Sequence, residues 1–132
     1  IDDSPDIVMF GNDGSVQGLE VTEKYDHLNH DKEHTEINVE KEVRDLWNLK
    51  GRMSYWVDTD LLVPYKGNII FNLWDFFEET KKYIWPFKYI ILWIHRIKES
   101  SWEYYLLNLK EGKISYLEPI YINSAEDKKF LY

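Results

Sequence analysis

The chain of 132 residues contains no cysteine. Disulfides and thiolate chemistry are therefore excluded, and the absence fits a reducing compartment. No stretch approaches the roughly eighteen consecutive apolar residues that a membrane-spanning helix needs. The acidic N-terminal residues do not have the shape of a signal peptide. The expectation is a cytoplasmic protein without a membrane segment. Basic residues are scarce in the first part of the chain. Residues 1–50 hold 13 acidic and 5 basic side chains, a balance of −8, while residues 51–132 hold 11 of each. A non-specific nucleic-acid binder normally shows the opposite sign. Local cations remain at Lys81, Lys82, Lys88, Arg96, Lys98, Lys128 and Lys129. There is no internal repeat and no low-complexity segment.

Aromatic residues, in contrast, are abundant: six Trp, ten Tyr and six Phe. Such side chains bury large areas, so they predict an aromatic core with some rings left for stacking on a ligand. The length suits one domain spanning 1–132.

The chain is organised around residues 5–24. Pro5-Asp6-Ile7-Val8-Met9-Phe10 and Val16 to Lys24 read as two strands joined by Gly11-Asn12-Asp13-Gly14-Ser15. Gly, Asn and Asp tolerate the positive φ angles that hairpin loops require. A loop symmetric about Asp13 places Asp6 opposite Glu20, on one face of the hairpin. Period-2 alternation adds Thr22 and Lys24 to that face. The other face, with Ile7, Met9, Leu19 and Val21, is apolar enough to bury. Two opposed carboxylates require a counter-charge, and a divalent cation is the simplest one. The alternative is an ordinary half-buried hairpin with solvated acids on its outer face.

Pro5-Asp6, a strand, a short loop and then Gly18-Leu19-Glu20-Val21-Thr22-Glu23 resembles the core of the PD-(D/E)XK nuclease superfamily. The resemblance implies an α/β fold, a mixed β-sheet with flanking helices and a restriction-endonuclease-like core, here with a C-terminal hairpin added. It implies Mg²⁺ or Mn²⁺ held by Asp6 and Glu20, and catalytic roles for Asp6, Glu20, Thr22 and Lys24. The family pattern has Lys two residues after the Glu; Thr22 stands there instead. Lys24 lies about 6.8 Å further along the same face and is the candidate replacement.

Residues 25–35 carry His27, His30 and His34. On a helix these would share a face and suit Zn²⁺, but a solvated loop is the preferred reading. Asp2 and Asp3 read as exposed terminal acids rather than further ligands. A helix is expected from Thr35 or Asn38 to Lys50, ending at Gly51 as a C′ residue. Residues 52–58 alternate as a strand, and Asp58, Asp60, Pro64 and Gly67 mark an irregular connection. A second helix is expected from Asn68 to Ile84. It would bury Ile70, Leu73, Trp74, Phe77 and Ile84. Residues 87–97 read as a central strand buried on both faces, with His95 and Arg96 at its end. Residues 102–109 and 114–122 read as a hairpin around Glu111-Gly112, and 123–132 as a polar tail. In this scheme the hairpin, the helix at 68–84 and the strand at 87–97 form the nuclease-like core, and 25–67 is an elaboration.

Two function classes follow, with a structural subunit of a larger assembly as a third reading. The first is a metal-dependent nuclease hydrolysing nucleic-acid phosphodiesters, in which the ion activates water and stabilises negative charge. The second is a non-catalytic acidic binding protein, an inhibitor of the immunity type or an inactive nuclease-fold interaction domain, with a protein partner.

Overall fold

The computed structural model describes residues 2–22, 35–66, 69–70, 72–96 and 101–121. The first two strands are β1 (Ile7–Phe10) and β2 (Val16–Val21). They pair antiparallel with Ile7 opposite Leu19, Val8 opposite Gly18, Met9 opposite Gln17 and Phe10 opposite Val16. This is the register that symmetry about Asp13 predicts. The loop is fixed by Gly14 at φ 85°, by the Asp13 carboxylate accepting from the Ser15 N–H at 2.9 Å, and by the Gly11 N–H donating to the Ser15 carbonyl at 2.8 Å.

Next come β3 (Thr35–Glu36), α1 (Val39–Lys50), β4 (Thr59–Lys66), β5 (Ile69–Ile70), α2 (Leu73–Thr80) and β6 (Tyr89–Arg96). The chain then forms β7 (Ser101–Asn108) and β8 (Lys113–Tyr121). Six strands build a mixed sheet in the order β1-β2-β4-β6-β7-β8, and β3 pairs with β5 separately. The fold is thus α/β. β2, β4 and β6 are parallel neighbours, joined by crossovers through α1 and α2. Right-handed crossovers that step in one direction put both helices on the same face of the sheet. Accordingly α1 and α2 pack against each other.

The irregular connection expected near Pro64 is instead β4, a strand inside the sheet, and the strand expected at 52–58 is absent. Only Tyr55 in that stretch forms a bridge, with Asp3. Proline is normally excluded from central strands because it cannot donate to the ladder. The Thr22 N–H donates to the Leu62 carbonyl at 3.1 Å. In a parallel ladder that bond turns the nitrogen of residue 64 towards β2. β2 ends at Val21, so Pro64 removes no bond to β6. The segment read as an elaboration therefore contributes α1 and β4, the elements next to β2.

α1 begins as expected. Asn38, with φ −76° and ψ 105°, accepts from the Lys41 N–H. Gly51 is not a left-handed C′ residue; its φ is −72°. A side chain there would collide with the Trp47 ring, so close approach explains the glycine. α2 is shorter than 68–84. The Asn72 side chain caps it by accepting from Trp74 and Asp75 N–H groups. Its buried residues are Phe76, Phe77 and Thr80, whereas Trp74 and Ile84 are exposed. The cap at Asn72 sets the phase of the helix, and Ile84, beyond its C-terminal end, does not share its buried face.

The core lies between the helices and one sheet face. Val43 and Leu46 of α1 and Phe76 and Phe77 of α2 meet Leu61, Val63, Tyr65, Ile90, Leu92, Ile94 and Leu107. Two expectations are corrected here. β6 buries Ile90, Leu92 and Ile94, whereas Ile91 and Trp93 face the other side and are half-buried. On the hairpin, Ile7 and Met9 are exposed, 46% and 45%. The buried side is the one carrying Gly18, Glu20 and Thr22; Pro5 and Thr59 close over Gly18, and Tyr55 and Lys50 over Glu20. Among the described residues, no helix is long and apolar enough to cross a membrane.

Candidate functional site

Asp6 and Glu20 come together as the loop symmetry predicts. The Asp6 N–H donates to Glu20 Oε1 at 3.2 Å, and the Val21 N–H donates to Asp6 Oδ2 at 2.8 Å. Asp6 is exposed, but Glu20 is only 3% exposed. Two groups absent from the sequence reading complete the cluster. The Tyr55 hydroxyl donates to Glu20 Oε2 at 2.6 Å. Lys50 Nζ, from the last turn of α1, lies 3.6 Å from the same oxygen.

Local structure fixes both newcomers. Lys50 ends α1, where a cation suits the helix dipole. Tyr55 is held by the N-terminal segment: Asp3 Oδ2 accepts from the Ser54 N–H at 3.0 Å, and Trp56 N–H donates to the Asp3 carbonyl at 3.4 Å. The Tyr55 ring rests against Phe87, centroids 5.6 Å apart. Asp2 and Asp3 are thus tied to Ser54.

The electrostatics follow from this geometry. Burial pushes the Glu20 carboxyl above its ordinary range, and the hydrogen bond with the Asp6 side chain acts the same way. The Tyr55 hydroxyl and Lys50 oppose that shift. The Glu20 hydrogen bond, then the Val21 N–H, hold Asp6 below its usual value. On acidification the pair takes its first proton at Glu20. Burial, then the bond to Glu20, drives the Tyr55 hydroxyl far up, so it remains a protonated donor.

Thr22, at the position of the family's Lys, is 1% exposed. Its hydroxyl oxygen has no hydrogen-bond partner among the described residues. Lys24, His27, His30 and His34 lie outside the described residues. His95 and Arg96 end β6.

The donor set does not fit the divalent ion that the resemblance implies. Mg²⁺ takes near-octahedral oxygen ligands at about 2.0–2.1 Å and keeps several waters. Both Glu20 oxygens already accept hydrogen bonds, an ammonium stands beside one of them, and the carboxylate is closed off from water. Among the described residues, no three His, Cys, Asp or Glu side chains are grouped to hold an ion. A pocket of about 220 Å³ is lined by Tyr55, Trp56, Asp58 and Lys88, but Asp6, Glu20 and Thr22 do not reach it. The cluster links the residue before β1, β2, the end of α1 and the segment before β4 at one point.

No protein-family model matches the chain, and no curated protein or solved structure matches it.

Proposed function

We propose that the chain is a non-catalytic acidic binding domain, built on a nuclease-like core, that recognises a cationic protein. The observation that carries this reading is the state of Glu20. Its carboxylate is engaged by the Asp6 N–H, the Tyr55 hydroxyl and Lys50 and is shut away from solvent. A catalytic carboxylate must instead reach an ion, a water and a phosphate. Thr22 adds to the argument, since a buried hydroxyl supplies no positive charge to a transition state. The nuclease-like core is supported by the hairpin with Asp6 opposite Glu20, followed by a helix and a parallel strand.

The sign of the partner follows from charge. Residues 1–22 contain Asp2, Asp3, Asp6, Asp13 and Glu20 and no Lys, Arg or His. With Glu20 buried, Asp2, Asp3, Asp6 and Asp13 give this segment its acidic surface, which speeds encounter with a basic protein and sets its register, as an acidic inhibitor does when it covers a basic surface. The test is single-turnover cleavage of labelled single- and double-stranded DNA and RNA, with Mg²⁺ and with Mn²⁺. The wild type is expected to cleave no faster than Glu20→Gln. Wild-type cleavage abolished by Glu20→Gln would replace this reading with the hydrolytic one.

A further inference from the structure

β1 is the outermost strand of the sheet, and among the described residues nothing pairs with its free side. The direction of its hydrogen-bonding groups can be worked out. Gly11 and Ser15 form a hydrogen-bonded pair through the Gly11 N–H. Hydrogen-bonded and non-bonded pairs alternate along an antiparallel ladder. Met9–Gln17 and Ile7–Leu19 are then bonded, and Phe10–Val16 and Val8–Gly18 are not. The Gly18 N–H agrees, since it turns away from β1 to the Asp58 carbonyl at 2.7 Å. Val8 and Phe10 therefore direct their N–H and C=O groups outward from the sheet.

Proteins blunt exposed strand edges with charges, proline and bulges. The other edge of this sheet follows the rule. β8 contains Lys113, Glu118 and Pro119, and its pairing with β7 is interrupted between Trp102 and Tyr104. β1 has none of these devices. It reads Ile-Val-Met-Phe, with Ile7 46%, Met9 45% and Phe10 75% exposed. Its ends are acidic, with Asp6 immediately before it and Asp13 in the loop after it.

We propose that β1 takes up an extended segment of a cationic protein as an added strand of the sheet, an apolar stretch flanked by Lys or Arg. This rests on the binding-domain reading and says where and how that binding occurs. Main-chain bonds to Val8 and Phe10 supply the pairing, Ile7, Met9 and Phe10 the apolar contact, and Asp6 and Asp13 the charge complement. The acidic ends argue against a second copy of this chain as occupant.

The probe is a short fluorescent peptide of alternating Val and Thr with Lys at both ends, and hexalysine is the control. Val8→Pro removes an outward N–H and leaves the β1–β2 bonds in place, a substitution that edge strands tolerate. Wild type is expected to bind the strand peptide better than hexalysine. Val8→Pro should bind it about tenfold more weakly, whereas Val8→Thr, which keeps the N–H, should match wild type. Asp13→Asn, which keeps the turn's acceptor, should weaken binding at low salt only. Should Val8→Pro unfold, N-methylation of the peptide along one edge gives the same reading, with loss of binding expected. Equal peptide binding by wild type and a folded Val8→Pro, or hexalysine binding as well as the strand peptide, overturns the edge and leaves the binding-domain reading intact. Failure of both probes to bind overturns both. Concentration-dependent dimerisation that Val8→Pro removes overturns the cationic occupant in favour of self-pairing.

Discussion

Thr22 occupies a position where a threonine is not an ideal occupant. Its hydroxyl oxygen is buried without a partner among the described residues, and an unmet buried hydroxyl costs about 1–3 kcal/mol. Thr22→Val removes the polar atom, so it should raise stability by about 1 kcal/mol in urea denaturation. No gain would show that the hydroxyl is satisfied. The same burial makes the family's Lys costly at this position: Thr22→Lys puts an ammonium into the core and should cost several kcal/mol. Glu20 carries a pH signature. Its folded pKa is raised from 4.5, so its stabilising share is complete below that value and is lost as pH rises through the folded value. Asp6 is shifted down from 3.8, so its share is present above 3.8 and is lost only in stronger acid. Above pH 4.5, Glu20 alone sets the slope of the pair. The stability advantage of wild type over Glu20→Gln should therefore shrink as pH is raised above 4.5. A pH-independent difference would show that Glu20 has no raised pKa.

Among the elements, β6 offers the sharpest contrast. Leu92 faces the helices at 0% exposure, and Trp93 faces the other side, stacked on Tyr104 at 6.0 Å. Leu92→Ala should cost about 2–5 kcal/mol, and Trp93→Ala less, although it deletes more atoms. Equal or reversed losses would mean that the second face is as dry as the first. The element boundaries show which signals the sequence exposes. The first hairpin was legible down to its register because Gly11-Asn12-Asp13-Gly14 dictates the turn, and α1 because Asn38 caps it. β4 was hidden because Pro64 argues against a central strand unless the end of β2 is known. The phase of α2 was hidden because its apolar residues surround it. At the site, Asp6 and Glu20 were legible from the turn. Tyr55 and Lys50 were not, because each reaches Glu20 across tertiary structure and no local period connects them.

For the whole molecule, the closed state of Glu20 predicts indifference to divalent ions. A ligand that binds only the folded state raises the melting midpoint by mass action. Millimolar Mg²⁺ or Mn²⁺ and excess EDTA should leave the midpoint unchanged. A rise with Mg²⁺ that Asp6→Asn abolishes would restore an ion to the hairpin. The distribution of charge works at this scale too, since the acidic excess lies in residues 1–50 while 51–132 are balanced.

The parallel run of β2, β4 and β6 has a consequence for how the protein can diversify. Parallel neighbours finish on the same side of a sheet, so the connections leaving Val21, Lys66 and Arg96 depart from one rim. Length and sequence there can change without altering the ladder between Leu61 and Ile90 or the helix caps at Asn38 and Asn72. In open α/β sheets this rim is where ligands gather, and loops are the segments that accept insertions most readily. The framework thus separates an interior held by packing from a rim that can vary, while β1 stays fixed by its turn at the opposite margin from β8.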